Sequence, residues 1–410
     1  MKAPELDAPI DELVVERVST LDGLIAMRAD WDRLQDAGEW KHVLLDHRWA
    51  TAWWRHFGGE KELHVLVLRR GSELVGIAPF VLSKGLEAFP AKDAQFKIID
   101  DYQHLRVPRW RRVVPVRRVT LLVNLASHNE HSHVLLDEED PELYERILQY
   151  WRERSSSWDL FVMDGLPEDS PQPDGLRAAA GKVGLKTLAH GKSLGLFSVE
   201  LGNSIEDFLK SRSRHFRKRH RAELRANESA GTIEFDEYRG GRIEEGLGVL
   251  FELESRSWKV DPTSTRDVWM PLDERIRGFF REVATSFAET DQANILVMKL
   301  DGVPVAGLYG LTRQRVRLTL VTYMDNSFRG RVSSASLFRA FLEGAIDDGM
   351  TRVDYNGCGL NAQKFANLKT NYKRLYFHHS GPYSRLLGGT KASATWLSKT
   401  VRAWRSNGAN

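Results

Sequence analysis

The chain has 410 residues, 42% hydrophobic residues and a formal net charge of +3. This length allows two buried cores, and the nearly balanced charge means that any basic binding surface must be local. A single cysteine, Cys358, excludes an internal disulfide and a cysteine-based metal cluster.

The first 13 residues lack the features of a targeting segment. They carry acidic residues where a signal peptide would carry a basic and then an apolar region. No stretch of the sequence approaches the ~18 continuous apolar residues of a membrane span. We therefore expect a cytoplasmic protein, and peripheral attachment to the inner face of the membrane is left open.

Helical spacing of apolar and aromatic residues marks residues 21–57, and a hairpin follows over 63–82. This hairpin has a counterpart 231 positions further on, since Arg70-Gly71 aligns with Asp301-Gly302. A predicted helix precedes the hairpin in both places. The repeat predicts an internal duplication.

Residues 106–118 contain six arginines and no acid. A solvated loop is the ordinary interpretation of such a run, and lipid headgroups, a CoA phosphate or nucleic acid are the alternatives. His128, His131 and His133 follow, but no acidic or cysteine companion stands at ligand spacing, so we expect no metal.

A domain boundary is predicted near residue 200, where a strand ends at the cap signal Asn203-Ser204. A helix over 208–228 then carries a continuously basic face that includes Arg217 and Arg221. Nucleic acid is one interpretation and a solvated helix is the other. We expect no nucleic acid, because stacking aromatics are nearly absent from this face.

A helix over 246–258 places Glu254 among apolar residues. An unpaired buried acid is costly, so Glu254 either pairs with Arg256 or Lys259 or faces an active cleft. A polar loop follows over 259–273.

Residues 295–356 predict a hairpin, a further strand ending at Tyr323-Met324-Asp325, a polar loop, a helix and a last strand. Free N–H groups at 333–336 and the helix dipole would face a loop that carries Arg329 and Arg331. This arrangement favours a bound anion such as a pyrophosphate. A serine N-cap flanked by solvated arginines is the alternative.

The chain ends with a predicted helix over 361–372, a strand, and a basic amphipathic tail over 391–410 whose apolar face includes Trp396 and Trp404. The tail rests either on a domain or on a membrane. The predicted domains are therefore residues 1–200, residues 201–390 and this tail.

The hairpin, the strand ending in Tyr-x-Asp, the Ser-rich loop and the last strand resemble the acyl-CoA half of GNAT-type N-acyltransferases. Residues 255–259 (SRSWK) are similar to the Ser-Trp-Lys signature of the CelD/BioF2-like branch, whose members also resemble the Fem aminoacyltransferases. The resemblance covers about half the chain. The loop departs from the usual Gln/Arg-x-x-Gly-x-Gly/Ala phosphate motif.

The resemblance implies an α/β fold with tandem GNAT-like domains, each a mixed twisted sheet flanked by helices, the first being a degenerate copy. It implies acetyl-CoA or a longer acyl-CoA as co-substrate. The residues expected to contact the CoA phosphates are Arg329, Gly330, Arg331, Ser333, Ser334 and Lys369.

Acyl transfer from a thioester to an amine needs proximity, a route for the amine proton and donors for the oxyanion. Tyr323 is the candidate to protonate the thiolate, while Asp325, Glu254 and Asp354 are candidate bases. Packing, capping and arginine pairing are the structural alternatives for these residues. Cys358 is a weaker candidate as a nucleophile. The candidates for acceptor binding are Arg217, Arg221, Trp258 and Lys259.

The expected acceptor is a small-molecule or lipid amine, for which a long-chain or sphingoid-type amine at an anionic membrane surface is one interpretation. An amino sugar and Fem-like aminoacyl transfer are alternatives. The interpretation from another class is a non-catalytic module that binds nucleic acid or an acidic polymer.

Overall fold

The computed structural model describes residues 12–38, 42–89, 112–122, 133–189, 194–260, 273–356 and 360–389. The described residues form two compact units. Those up to Leu194 and from Asn371 onward form the first unit, and those of Gly195–Thr370 form the second. This division differs from the predicted boundary near residue 200 and returns the residues from Asn371 onward to the first unit.

The strands are β1 (Leu13–Val18), β2 (Glu62–Arg70), β3 (Glu73–Phe89), β4 (Arg112–Leu121), β5 (Leu135–Leu136), β6 (Leu160–Pro167), β7 (Lys186–Ala189), β8 (Leu194–Glu200), β9 (Ile233–Arg239), β10 (Ala293–Leu300), β11 (Val303–Arg313), β12 (Val316–Met324), β13 (Arg352–Asp354) and β14 (Leu368–His378).

The α-helices are α1 (Leu21–Ala26), α2 (Arg28–Ala37), α3 (His47–Phe57), α4 (Pro141–Glu153), α5 (Gln172–Lys182), α6 (Ile205–Ser211), α7 (Arg214–Ala230), α8 (Ile243–Ser255), α9 (Glu274–Ala288), α10 (Ala335–Asp347) and α11 (Leu360–Phe365). Short 3₁₀ turns lie at Val43–Leu45, Gly240–Arg242 and Asn326–Phe328. No helix in the described ranges is long and apolar enough to cross a membrane.

The two units share one sheet topology. In the first, the strand order is β1-β2-β3-β4-β6-β14, and in the second it is β9-β10-β11-β12-β13-β8. In both, the first three pairings are antiparallel, the fourth is parallel and the fifth is antiparallel. The sixth strand of the first unit therefore comes from the far end of the chain.

The hairpin β2–β3 of the first unit corresponds to the hairpin β10–β11 of the second. The two are 230 residues apart in the sequence, because β2 ends at Arg70 and β10 ends at Leu300. A register shift lies at the same place in both, between Leu68 and Arg69 and between Met298 and Lys299. The predicted offset of 231 is therefore wrong by one residue.

A serine cap divides the predicted helix over 208–228. The hydroxyl of Ser213 accepts from the N–H of Phe216 at the start of α7, and Arg212 before it is extended. A serine that bonds to the third N–H of a helix fixes the helix start. The single predicted helix is wrong, and α6 and α7 stand in its place.

The predicted helix over 361–372 is also shorter than expected. It ends at Phe365, and β14 begins at Leu368. Tyr372 pairs with Pro167 and Lys373 with Leu166 of β6. Long-range strand pairing thus overrides the local helical pattern.

The sheet of the second unit is buried on both faces, and successive residues of β11 face opposite sides of it. A Cβ added to Gly307 would lie 3.0 Å from Leu250 and from Leu253 of α8. Its neighbours Ala306 and Leu308 belong instead to the apolar cluster that includes residues of α10. Since cross-strand partners share a face, Tyr323, which is paired with Gly307, lies on the α8 face.

Candidate active site

The open edge of β12 is the side of the strand that faces away from β11, between one contact at each end. Its parallel pairing with β13 runs from Val316 to Leu318 and ends there in the described part of the chain. At the other end, Ser257 forms a bridge with Asp325. Between these contacts, a register shift in the pairing with β11 leaves Leu320 as a bulge residue. Bulges of this kind bend a strand and often lie beside active sites.

The peptide groups that face this opening follow from the hydrogen bonding of β12. The N–H of Asp325 donates to the carbonyl of Val305 on β11 at 2.9 Å. Successive residues of an antiparallel strand direct their N–H and C=O groups to opposite sides. Tyr323 is two residues before Asp325, so its peptide groups also face β11. The peptide groups of Thr322 and Met324 therefore face the opening.

Lys259 places its ammonium at this open edge. Its Nζ donates to the carbonyl of Thr322 at 3.1 Å and lies 4.7 Å from the centroid of the Tyr323 ring. Burial lowers the pKa of Lys259 to about 8, and the charge of Glu254 acts against that shift. The sequence predicted Lys259 as an acceptor-binding residue, and the structure brings it together with Tyr323 and Glu254.

Glu254 is 1% exposed and pairs with an arginine that the sequence analysis missed. Its Oε2 lies 3.0 Å from Nη2 of Arg277 on α9. The predicted partners were Arg256 and Lys259, of which Arg256 pairs instead with Asp325 at 3.0 Å. The sequence gives no local signal for a pair between residues on two different helices.

Tyr323 is buried against this cluster. Burial, and then the charge of Glu254, raise the pKa of Tyr323 well above its usual value. The phenol therefore stays protonated across the physiological pH range.

Asp325 and Asp354 both use a carboxylate oxygen in a local turn. Oδ1 of Asp325 accepts from the N–H and the hydroxyl of Ser327, at 2.9 and 2.7 Å. Oδ1 of Asp354 accepts from the N–H of Asn356 at 2.7 Å. Both side chains are buried. These contacts match the capping interpretation of Asp325.

The loop between β12 and α10 satisfies many of its own N–H groups. The N–H groups of Arg329 and Arg331 donate to Asn326 and Phe328, at 3.1 and 3.0 Å. The N–H of Ser333 donates to Oδ1 of Asn227 at 2.8 Å, and that of Ala335 to the Ser333 hydroxyl at 3.3 Å. The predicted free N–H groups at 333–336 are therefore wrong for these two residues.

Asn227 anchors this loop from α7. It is fully buried, and its Nδ2 also donates to the Ser333 carbonyl at 3.0 Å and to the Ser336 hydroxyl at 2.8 Å. Gly330 adopts a left-handed φ of 86°, which favours glycine. The exposed side chains of Arg329 and Arg331 remain available to an anion such as a CoA phosphate.

The other predicted binding residues are Lys369, Arg217, Arg221 and Trp258, of which Trp258 stands next to Lys259 in the sequence. Lys369 is on β14, and its side chain packs where a Cβ on Gly195 would lie. Arg217 donates to the carbonyls of Lys210 and Arg212 at the end of α6, at 2.9 and 3.1 Å. Arg221 is exposed on α7, and Trp258 is half-buried beside Lys259.

A separate groove of about 670 Å³ lies along α7, α10 and the start of β9. Leu224, Phe235, Asp301, Arg339 and Glu343 are among its lining residues. Glu254, Lys259 and Tyr323 do not line it. We place the chemistry at the open edge of β12, because that is where the buried titratable groups converge.

Several predicted motifs fall partly or wholly outside the described residues: residues 106–111, His128, His131, Cys358 and the tail at 391–410. Of the arginine run, Arg117 pairs with Asp159 at 2.7 Å and Arg118 is fully buried. His133 is buried, and burial lowers its pKa to about 4. Within the described ranges, no group of three His, Cys, Asp or Glu residues is placed to hold a metal.

Residues 214–374 match the family model of the acetyltransferase (GNAT) domain. This segment contains the open edge of β12, the Lys259 cluster and the loop before α10. The second unit therefore carries a GNAT domain, and the predicted α/β fold with tandem GNAT-like domains is confirmed. No curated protein matches the chain.

Among solved structures, the chain is similar to FemX, with 13% identity and a TM-score of 0.55 over 84% of this chain and 95% of that one. A tandem GNAT protein from the clavulanic acid biosynthesis pathway shows 13% identity and a TM-score of 0.46 over 90% and 99% of the two chains. The C-terminal domain of a putative lysylphosphatidylglycerol synthetase from Agrobacterium fabrum shows 12% identity and a TM-score of 0.46 over 89% and 95%. At this identity, the similarity to FemX shows a shared fold.

Proposed function

We propose that the protein is an acyl-CoA-dependent N-acyltransferase that moves an acyl group from a CoA thioester to a primary amine. The observation that carries this proposal is the open edge of β12, where Thr322 and Met324 present peptide groups beside the cluster of Glu254, Lys259 and Tyr323. An unpaired strand edge binds an extended amide chain through main-chain hydrogen bonds.

The acyl-CoA would lie along this edge. The N–H group of either Thr322 or Met324 would donate to the thioester carbonyl, whose oxygen gains negative charge during attack. Arg329 and Arg331 would hold the phosphates through their guanidinium groups, which suit phosphate geometry. The match to the GNAT domain model over residues 214–374 supports CoA as the acyl carrier.

Among the four predicted acid–base residues, Glu254 is best placed to accept the amine proton directly or through water. Its charge affects the pKa of both Lys259 and Tyr323, so it lies close to both. The carboxylates of Asp325 and Asp354 each accept a bond in a local turn. We assign them to holding the ends of β12 and β13.

The acceptor that we propose is a small-molecule or lipid amine, with a long-chain amine at an anionic membrane surface as the preferred class. An exposed basic stripe on α7 supports an anionic neighbour. Arg214, Lys218 and Arg225 lie at helical spacing on one exposed face, and in the described ranges none is within ion-pair distance of a carboxylate. An amino sugar, or an aminoacyl group as the transferred group, remains the alternative.

The test is a thiol-release assay on the full chain. Acetyl-CoA and a long-chain acyl-CoA are each incubated with sphinganine, glucosamine or no amine, and products are identified by mass spectrometry. We expect amine-dependent release of CoA thiol, and loss of that release in Glu254→Gln. Thermal stabilisation by an oligonucleotide but not by CoA would instead favour the non-catalytic binding module.

A further inference from the structure

We propose that Lys259 is a catalytic residue of this site, which gives a proton to the departing CoA thiolate. This inference rests on the proposed acyl transfer. It replaces Tyr323 as the proton donor and extends the role of Lys259 beyond acceptor binding.

The position of the Lys259 ammonium supports this role. It lies at the open edge of β12, where the peptide groups of Thr322 and Met324 would bind the thioester. An ammonium has three N–H bonds, of which one donates to the Thr322 carbonyl at 3.1 Å. The Tyr323 ring, 4.7 Å away, covers another side. An N–H bond of the ammonium is therefore left to donate to a sulfur atom bound at this edge.

The acidities of the two candidate donors decide between them. Burial and the charge of Glu254 raise the pKa of Tyr323 well above its usual value, so the phenol is a poor proton donor. Burial lowers the pKa of Lys259 to about 8. A thiol has a pKa of about 8.5, and proton transfer is most efficient between groups of similar pKa near the working pH.

In the described part of the chain, the charged and titratable groups around Lys259 come from three elements. Glu254 of α8 opposes the effect of burial and keeps the ammonium charged near neutral pH. Arg277 of α9 pairs with Glu254 at 3.0 Å and so weakens its effect on the lysine. Tyr323 of β12 stays neutral. The lysine is thus held as an ammonium that can lose its proton.

The proposed step is balanced. The amine nitrogen forms a bond to the thioester carbonyl carbon, and the carbon–sulfur bond breaks with its electron pair on sulfur. The ammonium of Lys259 gives a proton to sulfur. Glu254 takes the proton from the amine nitrogen, and transfer of that proton to the neutral lysine restores both the carboxylate and the ammonium. The products are an amide and the CoA thiol.

The first experiment measures the proton affinity of Lys259 without an acceptor. Full-length protein is labelled at the lysine ε-carbons with ¹³C, and the Lys259 signal is assigned by its loss in Lys259→Arg. The expected titration midpoint is near 8, and in Glu254→Gln it should fall. A midpoint near the ordinary lysine value of about 10.4 would overturn the proposal.

The second experiment separates catalysis from a structural role. Lys259→Arg keeps the charge and the bond to the Thr322 carbonyl, but a guanidinium does not give up its proton. With acetyl-CoA and whichever of sphinganine or glucosamine the wild type acylates, kcat should fall by about 10²- to 10⁴-fold in Lys259→Arg and in Lys259→Met. CoA affinity, measured by calorimetry, and the melting temperature of Lys259→Arg should stay near the wild-type values.

The pH dependence of kcat distinguishes a catalytic lysine from a structural one, because a lysine with only a structural role would not change it. The wild-type kcat should fall as the pH rises through about 8, because the ammonium form is required. The residual activity of Lys259→Met should lack this decline. A fully active Lys259→Arg would remove Lys259 from the mechanism and leave acyl transfer standing. A wild-type protein that binds CoA and acylates no amine would overturn the proposed function itself.

Discussion

Glu254 and Arg277 form a buried ion pair that ties α8 to α9, with Oε2 and Nη2 3.0 Å apart. The side chain of Glu254 is 1% exposed, whereas that of Arg277 is 28% exposed. Removing the arginine would break a buried ion pair. The pair therefore affects both the stability of the second unit and the candidate active site.

We predict that Arg277→Met lowers the free energy of unfolding by about 3–5 kcal/mol, the usual cost of removing one partner of a buried ion pair. Urea denaturation followed by fluorescence measures the change. Arg281→Met is the matched control on the same helix, since its pair with Glu244 is half exposed and should contribute under about 1 kcal/mol. Equal effects of the two substitutions would contradict the prediction, and Glu254→Gln combined with Arg277→Met should recover part of the loss.

The anchor of the loop before α10 gives a second prediction. Asn227→Ala removes partners of Ser333 and Ser336, and each buried polar group left unpaired costs about 1–3 kcal/mol. We expect lower stability and weaker CoA binding together, because the loop would lose its fixed shape. Ser229→Ala is the control, since Ser229 is exposed on the same helix and its hydroxyl donates to the carbonyl of Arg225 within it. Wild-type CoA affinity in a destabilised Asn227→Ala would separate the anchor from the CoA site.

The predicted CoA phosphate contacts are tested by Arg329→Ala combined with Arg331→Ala. Both side chains are exposed, so the melting temperature should change little while CoA binding weakens by at least about tenfold, since two charge-assisted contacts are lost. Calorimetry measures affinity and stoichiometry, and we expect one CoA per chain. The same double substitution at the exposed Arg55 and Arg146 of the first unit is the control. Unchanged affinity would remove the loop from the site, and a stoichiometry of two would show that the first unit also binds CoA.

A buried histidine predicts acid sensitivity of the first unit. Burial lowers the pKa of His133 from 6.5 to about 4, so the unfolded chain binds a proton between these pH values that the folded chain does not. Stability should therefore be full above pH 6.5 and fall as the pH falls toward 4, by about 3 kcal/mol from this residue. Urea unfolding of the wild type and of His133→Gln over this range should show a shallower decline in the variant. Parallel curves would contradict the assignment.

The tail at 391–410 carries the membrane prediction, although it lies outside the described residues. Deleting it should lower binding to anionic vesicles, because lysines and arginines near such a surface contribute up to ~1 kcal/mol each. Binding to neutral vesicles should be weak even for the full chain. If Trp396 and Trp404 dock on a domain instead, deletion would lower the melting temperature and leave vesicle binding unchanged.

Local patterns predicted the elements around the site well. The turn at Asp301-Gly302 and the strand end at Tyr323-Met324-Asp325 both lie where the sequence placed them. Tertiary partners were not predicted, because nothing local links Glu254 to Arg277 or Asn227 to Ser333. The start of β14 was missed for the same reason, since its pairing partners lie about 200 residues earlier in β6.

The late sixth strand of the first unit has a consequence for biosynthesis. β6 ends at Pro167 and its neighbour β14 begins at Leu368, so the ribosome must translate the whole second unit in between. At about 5–20 residues per second, that interval lasts on the order of 10–40 s. Throughout it, the nascent first unit presents the open hydrogen-bonding edge of β6, which is a template for aggregation. The first half of this polypeptide therefore cannot mature ahead of the second, and a stalled or truncated chain would be an early client of chaperones and proteases.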